Sequence, residues 1–223
     1  MQLTAIGDTG VRVLRTITIS ANYGSGGALI APALAELLGL PFHDRLLRGT
    51  GPSDDQTAPS ENLTEAERSE LPLRRLLAGF AFLPEAIGSP GAMLDLPDDR
   101  RIRQNVEQSV LSIADSTGGV ILGRGGACVL ADKPGVFHAR IDGPVDRRLA
   151  VGMRLEEIDE ATARRHLTDT DKARTQYLKR LYGRDPRDPT LYHLVIDGTA
   201  FDFDTSAQLI AHVATTYWER GLA

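Results

Sequence analysis

The chain has 223 residues, 42% of them hydrophobic, with 25 Lys+Arg against 30 Asp+Glu and a formal net charge of −5, an ordinary balance for one globular core with insertions. The acidic balance argues against broad electrostatic binding to nucleic acid, the single cysteine Cys128 excludes an internal disulfide, and no apolar run approaches the roughly 18 residues of a membrane span. With no basic stretch followed by an apolar segment at the start, the expected location is the cytoplasm, and the clustered arginines suit a small anionic ligand.

No periodic element is read before Arg15. Arg15–Ser20 alternates with β-branched residues and runs into Tyr23-Gly24-Ser25-Gly26-Gly27, a strand followed by a glycine turn. Ala28–Leu38 carries Ile30, Leu34, Leu37 and Leu38 at helical spacing, and Gly39 is placed to end the helix. Pro32 removes one backbone donor inside it and is expected to kink the helix or shift its start. Pro41–Asp44 reads as a short second strand ending in the charged pair Asp44-Arg45. Residues 49–62 lack apolar periodicity and read as a loop, Leu71–Ala86 as a helix, and 88–97 as another break; the span from about 46 to 100 is expected to be an insertion.

Arg101–Ser116 is a helix with Ile102, Val106, Val110 and Ile113 on one stripe. Val120–Leu122 is a third strand, leading to Gly123-Arg124-Gly125-Gly126; Val136–Ile141 is a fourth, Leu194–Asp197 a fifth, and Thr205–Arg220 a closing helix with Leu209, Ile210, Val213 and Tyr217 as its packing face. Five strands separated by helical stretches predict an α/β fold with a parallel sheet in a single domain over 1–223. Cys128, between Ala127 and Val129, reads as packing, and the five histidines show no ligand spacing, so no metal-binding side-chain cluster is expected.

The glycine turn sits where the first strand meets a helix start, so its amides can converge on phosphate oxygens with the helix dipole behind them. Tyr23, Gly24, Ser25, Gly26 and Gly27 are accordingly the expected nucleotide-binding residues. Set against the Walker pattern GxxxxGK[ST], with Gly26 as the second glycine, the first glycine falls on Ala21, the lysine on Gly27 and the hydroxyl on Ala28.

In order along the chain, Ile17-Thr18-Ile19-Ser20 before Tyr23-Gly24-Ser25-Gly26-Gly27, Gly39-Leu40-Pro41-Phe42-His43-Asp44-Arg45, Gly123-Arg124-Gly125 and Leu194-Val195-Ile196-Asp197 resemble the cytidylate kinase-like family, a branch of the P-loop nucleoside monophosphate kinases. The resemblance covers roughly Thr16 to the C-terminus, and the lysine-free loop is part of it. It departs at Ala21 and Ala28, where the family typically has arginines. It implies a P-loop kinase fold using ATP and Mg2+, with Ser25, Ser20 or a water filling the magnesium role. Arg124, Asp44, Arg45 and Arg101 would bind substrate. A helical lid over about 144–182 would bring Arg147, Lys172 and Arg174 to the transferring phosphoryl group, with Asp169 and Asp171 as candidates for orienting those cations or, as the second choice, for holding a metal.

The implied activity is phosphoryl transfer from ATP to a nucleoside monophosphate of the CMP type. Two other readings stand beside it: a nucleotide-binding or partner-binding protein that has lost turnover, motivated by Ala21, Gly27 and Ala28, and a small-metabolite kinase, for which the insertion leaves room. A homodimer through the closing helix or the Leu71–Leu83 segment is an arrangement those leucine faces allow.

Overall fold

The computed structural model describes residues 5–6, 12–44 and 99–221, with the backbone alone at 5, 6, 12, 13, 99, 101 and 102. The expected helix at Leu71–Ala86, the rest of the expected insertion up to 98, and Arg45 lie outside the described residues. A two-residue antiparallel pair, β1 (Ala5–Ile6) and β2 (Arg12–Val13), precedes the main fold and has no counterpart in the sequence reading. Then come β3 (Thr16–Ala21), α1 (Gly27–Leu38), β4 (Phe42–His43), α2 (Asp99–Ser116), β5 (Gly119–Leu122), the single turn α3 (Gly126–Val129) and β6 (Val136–Asp142). The chain finishes with α4 (Val145–Glu156), α5 (Glu160–Tyr182), a 3-10 turn at Pro189–Leu191, β7 (Leu194–Asp197) and α6 (Phe203–Glu219).

The main sheet has five strands in the order β4-β5-β3-β6-β7, every pair parallel. All five were expected: β5, β6 and β7 as short apolar runs, β3 from its alternating β-branched residues, and β4, whose Phe42 is exposed, as the short segment before the charged pair Asp44-Arg45. Ile17, Ile19 and Ala21 of β3 turn to one face, where α1 and α6 cover them. On the other face Val106, Val110 and Ala114 of α2 meet Ile121, Leu130 and Val136. The first strand is central, and the chain passes to opposite sides of it after α1 and after β5, which opens a crevice at the strands' carboxyl ends.

Two expectations about the helices need correction. Pro32 neither breaks α1 nor moves its start, which is Gly27; the N–H it lacks would have bonded Ala28, an exposed residue whose carbonyl water can reach. The packing faces of α1 and α6 are also built more from alanine than from leucine. Ala31, Ala35, Ala207, Ala211 and Ala214 are buried beside Ile30, Leu34 and Ile210, whereas Leu37 and Leu209 are exposed. Small residues let the two helices approach closely over β3, and the larger side chains at the margins turn outward.

Candidate active site

The glycine loop between β3 and α1 is folded tightly against its neighbours. Gly24 and Gly26 have φ of 68° and 84°, the left-handed region that L side chains rarely enter. A Cβ on Gly24 would stand 2.0 Å from the Arg148 carbonyl oxygen, so position 24 requires glycine for space as well as conformation. Gly26 caps α1, and the first amides of that helix have no preceding turn to bond to. Together with the helix dipole they form the part of the loop suited to an anion. Ser25 is fully buried and its Oγ donates to the Asn22 carbonyl at 2.9 Å, so its hydroxyl closes the loop, in contrast to the metal-binding role considered for it. At Gly27 an added Cβ would lie 2.3 Å from the Ala21 Cβ. The two small residues that stand at Walker positions therefore pack on each other.

Helices α4 and α5, the segment expected as a lid, dock on this loop. Arg148 of α4, only 4% exposed, donates from Nη1 to the Tyr23 carbonyl (2.8 Å) and to Asp171 Oδ2 (2.7 Å), and from Nε to the Gly143 carbonyl (2.9 Å). Asp171 Oδ1 accepts the Tyr23 backbone N–H at 3.0 Å. Arg174, three residues on along α5, donates to the Ala21 carbonyl. A carboxylate and a guanidinium of α5 thus hold the chain where it leaves β3. Asp169, by contrast, is exposed. Arg147 is half-exposed and pairs with Asp197 Oδ2 at 2.5 Å; of the two adjacent arginines, Arg148 is the one that reaches the loop. Tyr23 itself is buried against Gly152, and burial, with Glu156 nearby, pushes its phenol pKa well up.

Arg124 lies between Gly123 and Gly125 at the end of β5 with φ 58°, an uncommon conformation for a residue with a long side chain. The side chain is 9% exposed; Nη2 donates to the Asp44 carbonyl, while Nε and Nη1 are buried without a partner among the described residues. Buried donors of this kind cost free energy unless something accepts from them. Burial pushes its pKa down, opposed by the Asp44 carboxylate. Asp44 therefore meets Arg124 through its backbone as well as its charge. Arg101 falls in α2, where the backbone alone is described.

Two adjoining crevices open at the carboxyl ends of β3, β5 and β6. The inner one lies under α5 and is lined by Arg124, Arg140 and Arg174 with Ser20, Tyr177 and Tyr192; among the described residues none that lines it is acidic. Tyr177 has its phenol pKa pushed up to about 12, mainly by burial. Tyr192 donates to the Pro186 carbonyl at 3.0 Å. The outer crevice is lined by Asp142, Arg148, Asp171, Lys172, Lys179 and Arg187. Asn22, Arg140 and Pro186 belong to both walls. Asp142, at the end of β6, accepts from Asn22 Nδ2 (2.9 Å), the Gly143 N–H (3.0 Å) and Arg140 Nη2 (2.7 Å), so its oxygens are engaged by protein donors. Lys172 is exposed on the outer crevice, and Arg174 reaches the inner one.

Sequence reasoning missed Arg140, Asp142, Asn22, Tyr177 and Tyr192. Arg140 carried a readable signal, a charge within the otherwise apolar run Val136–Ile141. The tyrosines gave none, since they reach the crevice from α5 and from the chain after the 3-10 turn. Among the described residues no group of three or more His, Cys, Asp or Glu is placed to hold a metal, and no helix is long and apolar enough to cross a membrane. Cys128 is half-buried with its thiol pKa raised by burial, which agrees with a packing role.

Residues 16–200 match the family described as the Cytidylate kinase-like family. The cytidylate kinase of Aeropyrum pernix is 28% identical over 195 residues, covering 86% of this chain and 94% of that protein. A uronate isomerase of Corynebacterium glutamicum is 29% identical over 120 residues, 54% of this chain, and the match spans only 22% of that protein's length. Among solved structures, an uncharacterized protein from Eubacterium ventriosum has a TM-score of 0.62 at 23% identity, over 90% of this chain and 98% of that one, a likeness of fold.

Proposed function

Because this chain belongs to the cytidylate kinase-like family, we propose that it transfers the γ-phosphoryl group of ATP to a nucleoside monophosphate of the CMP type. The observation that carries this reading is the buried Arg124 guanidinium, with two nitrogens that have no partner among the described residues, beside a crevice whose described wall has three arginines and no acidic side chain. Such a pocket suits a compact dianion, which a monophosphate supplies.

The donor's phosphates are assigned to the amides at the head of α1, where the loop of Gly24 and Gly26 enters the helix. Lys172, Lys179 and Arg187 border the outer crevice and supply positive charge on that side. An oxygen of the acceptor phosphate attacks the γ-phosphorus, the bond from that phosphorus to the β–γ bridging oxygen breaks, and the electron pair leaves with ADP. The protein's part is to align the two anions and to neutralise charge on the equatorial oxygens. Magnesium, when it arrives with the nucleotide, would supply further positive charge to the phosphates; among the described residues Asp142 is already engaged by three donors and Ser25 is turned inward, so neither is free to hold it.

The test is ADP release from MgATP against a panel of nucleoside monophosphates, with Arg124→Ala alongside. Turnover that requires an acceptor, and a fall in kcat/KM of about 100-fold or more in Arg124→Ala, is expected from removing a charged donor in a water-poor site. Silence of the wild-type protein across the whole panel would sink the proposal. The contact between Gly27 and Ala21 favours a second reading, a nucleotide-binding protein without turnover. ATP binding without ADP release would support it.

A further inference from the structure

The missing Walker lysine leaves the transferring phosphoryl group without a cation fixed to the sheet. On the reading of phosphoryl transfer above, we infer that Arg140 of β6 is that cation, a catalytic residue whose guanidinium contacts the phosphoryl group where the donor and acceptor crevices meet. In the parallel register Arg140 lies directly beside Ser20, the next-to-last residue of β3 before the glycine loop. Its side chain is 5% exposed, in a strand whose neighbouring residues Ala139 and Ile141 are fully buried. A buried guanidinium is costly and is tolerated when paired and oriented. Here Nη2 donates to Asp142 Oδ2 at 2.7 Å, and the Cζ atom stands 5.8 Å from the centre of the Tyr192 ring.

Three residues line both crevices, and Arg140 is the charged one among them. An acceptor oxygen reaching from the inner crevice and a γ-phosphorus reaching from the outer one come together at that shared wall. The other cations near the loop are placed differently. Arg148 donates to two carbonyls and to Asp171, which fits a structural role. Arg174 is bonded to the Ala21 carbonyl, and Lys172 and Lys179 are exposed. Arg140 has five N–H donors, and among the described residues a single nitrogen, Nη2, is bonded to a protein acceptor. It is also carried by the central sheet and not by the lid, so its position does not depend on lid movement. As the acceptor oxygen bonds to phosphorus and the bridging oxygen departs with its electron pair, Arg140 donates to equatorial oxygens of the phosphoryl group, and its charge is preorganised for that moment.

The experiment compares the wild-type protein with Arg140→Lys and Arg140→Met, using MgATP and an acceptor monophosphate that supports wild-type turnover. The readouts are kcat, KM for each substrate, the melting temperature, and pyrophosphate affinity by calorimetry. A fall in kcat of about 100-fold or more in Arg140→Met is expected, with each KM within about fivefold and part of the rate recovered in Arg140→Lys. A fall in kcat below about tenfold in a folded Arg140→Met would overturn the inference. If Arg140→Met does not fold, Arg140→Lys decides: a loss confined to kcat sustains the role, and a loss no larger than its unfolded fraction overturns it. If the wild-type protein turns over no monophosphate, the phosphoryl-transfer reading fails separately, and pyrophosphate affinity becomes the arbiter for Arg140. Binding weakened about tenfold in Arg140→Met keeps the phosphate contact; unchanged binding, or none in the wild type, removes it.

Discussion

At Gly27 the question of the absent lysine becomes one of packing. A side chain there would have to displace Ala21, whose Cβ lies 2.3 Å from where a new Cβ would be built, and Ala21 is itself buried under Leu122. Restoring the Walker lysine by Gly27→Lys is therefore expected to cost about 1–3 kcal/mol of stability by overpacking and to leave ATP turnover no higher. The paired variant Ala21→Gly with Gly27→Lys should recover much of that loss in chemical denaturation. A Gly27→Lys protein as stable as its parent would show that the loop has more room than this contact allows. Residues of this kind were only partly legible in the sequence. The glycines at 24 and 26 and the arginine at 124 announce themselves by their neighbours, but that Arg148 and not Arg147 turns inward is decided by the phase of α4 against the loop. Arg140 could have been found, because a guanidinium within a buried strand needs a reason to be there.

The sequence pattern identified the elements well where apolar side chains are large and poorly where they are small. Strands β5, β6 and β7 of the main sheet appear as apolar runs, whereas the alanine faces of α1 and α6 carry little signal, since alanine is common on any helix surface. The same limit applies to α5. Its 23 residues are largely polar, and what fastens it to the loop is the spacing of Asp171 and Arg174 on one face. Asp171 occupies a loop amide that a phosphate-binding turn would otherwise offer to solvent, and it also neutralises Arg148, whose side chain is 5% exposed. Asp171→Ala is expected to cost about 2 kcal/mol, because it leaves a buried guanidinium without its carboxylate. Amide exchange at Tyr23 should quicken in that variant, as its N–H loses its acceptor. Unchanged exchange at Tyr23 would mean that the lid is held to the loop by other contacts.

Across the whole molecule, the order β4-β5-β3-β6-β7 puts the first strand at the centre, so the glycine loop after β3, Arg124 after β5 and Arg140 in β6 all gather at one edge of the sheet. The two crevices beside them belong to one surface, joined through Asn22, Arg140 and Pro186. A ligand that fills both at once should therefore gain from being a single molecule, because its second half binds from a high effective concentration once the first half is seated. The expected result is that adenosine and cytidine joined through five phosphates binds at least about tenfold more tightly than ATP or CMP alone. At about 100 times its dissociation constant such a ligand would add about 2.7 kcal/mol to the stability of the folded chain, measurable as a rise in melting temperature. A rise no larger than that given by ATP at matched saturation cannot separate the cases, so the dissociation constants themselves must be compared by calorimetry. Affinity equal to that of ATP alone would mean that the joined ligand reaches only one crevice, and the shared wall at Arg140 would then not be the place where the two substrates meet.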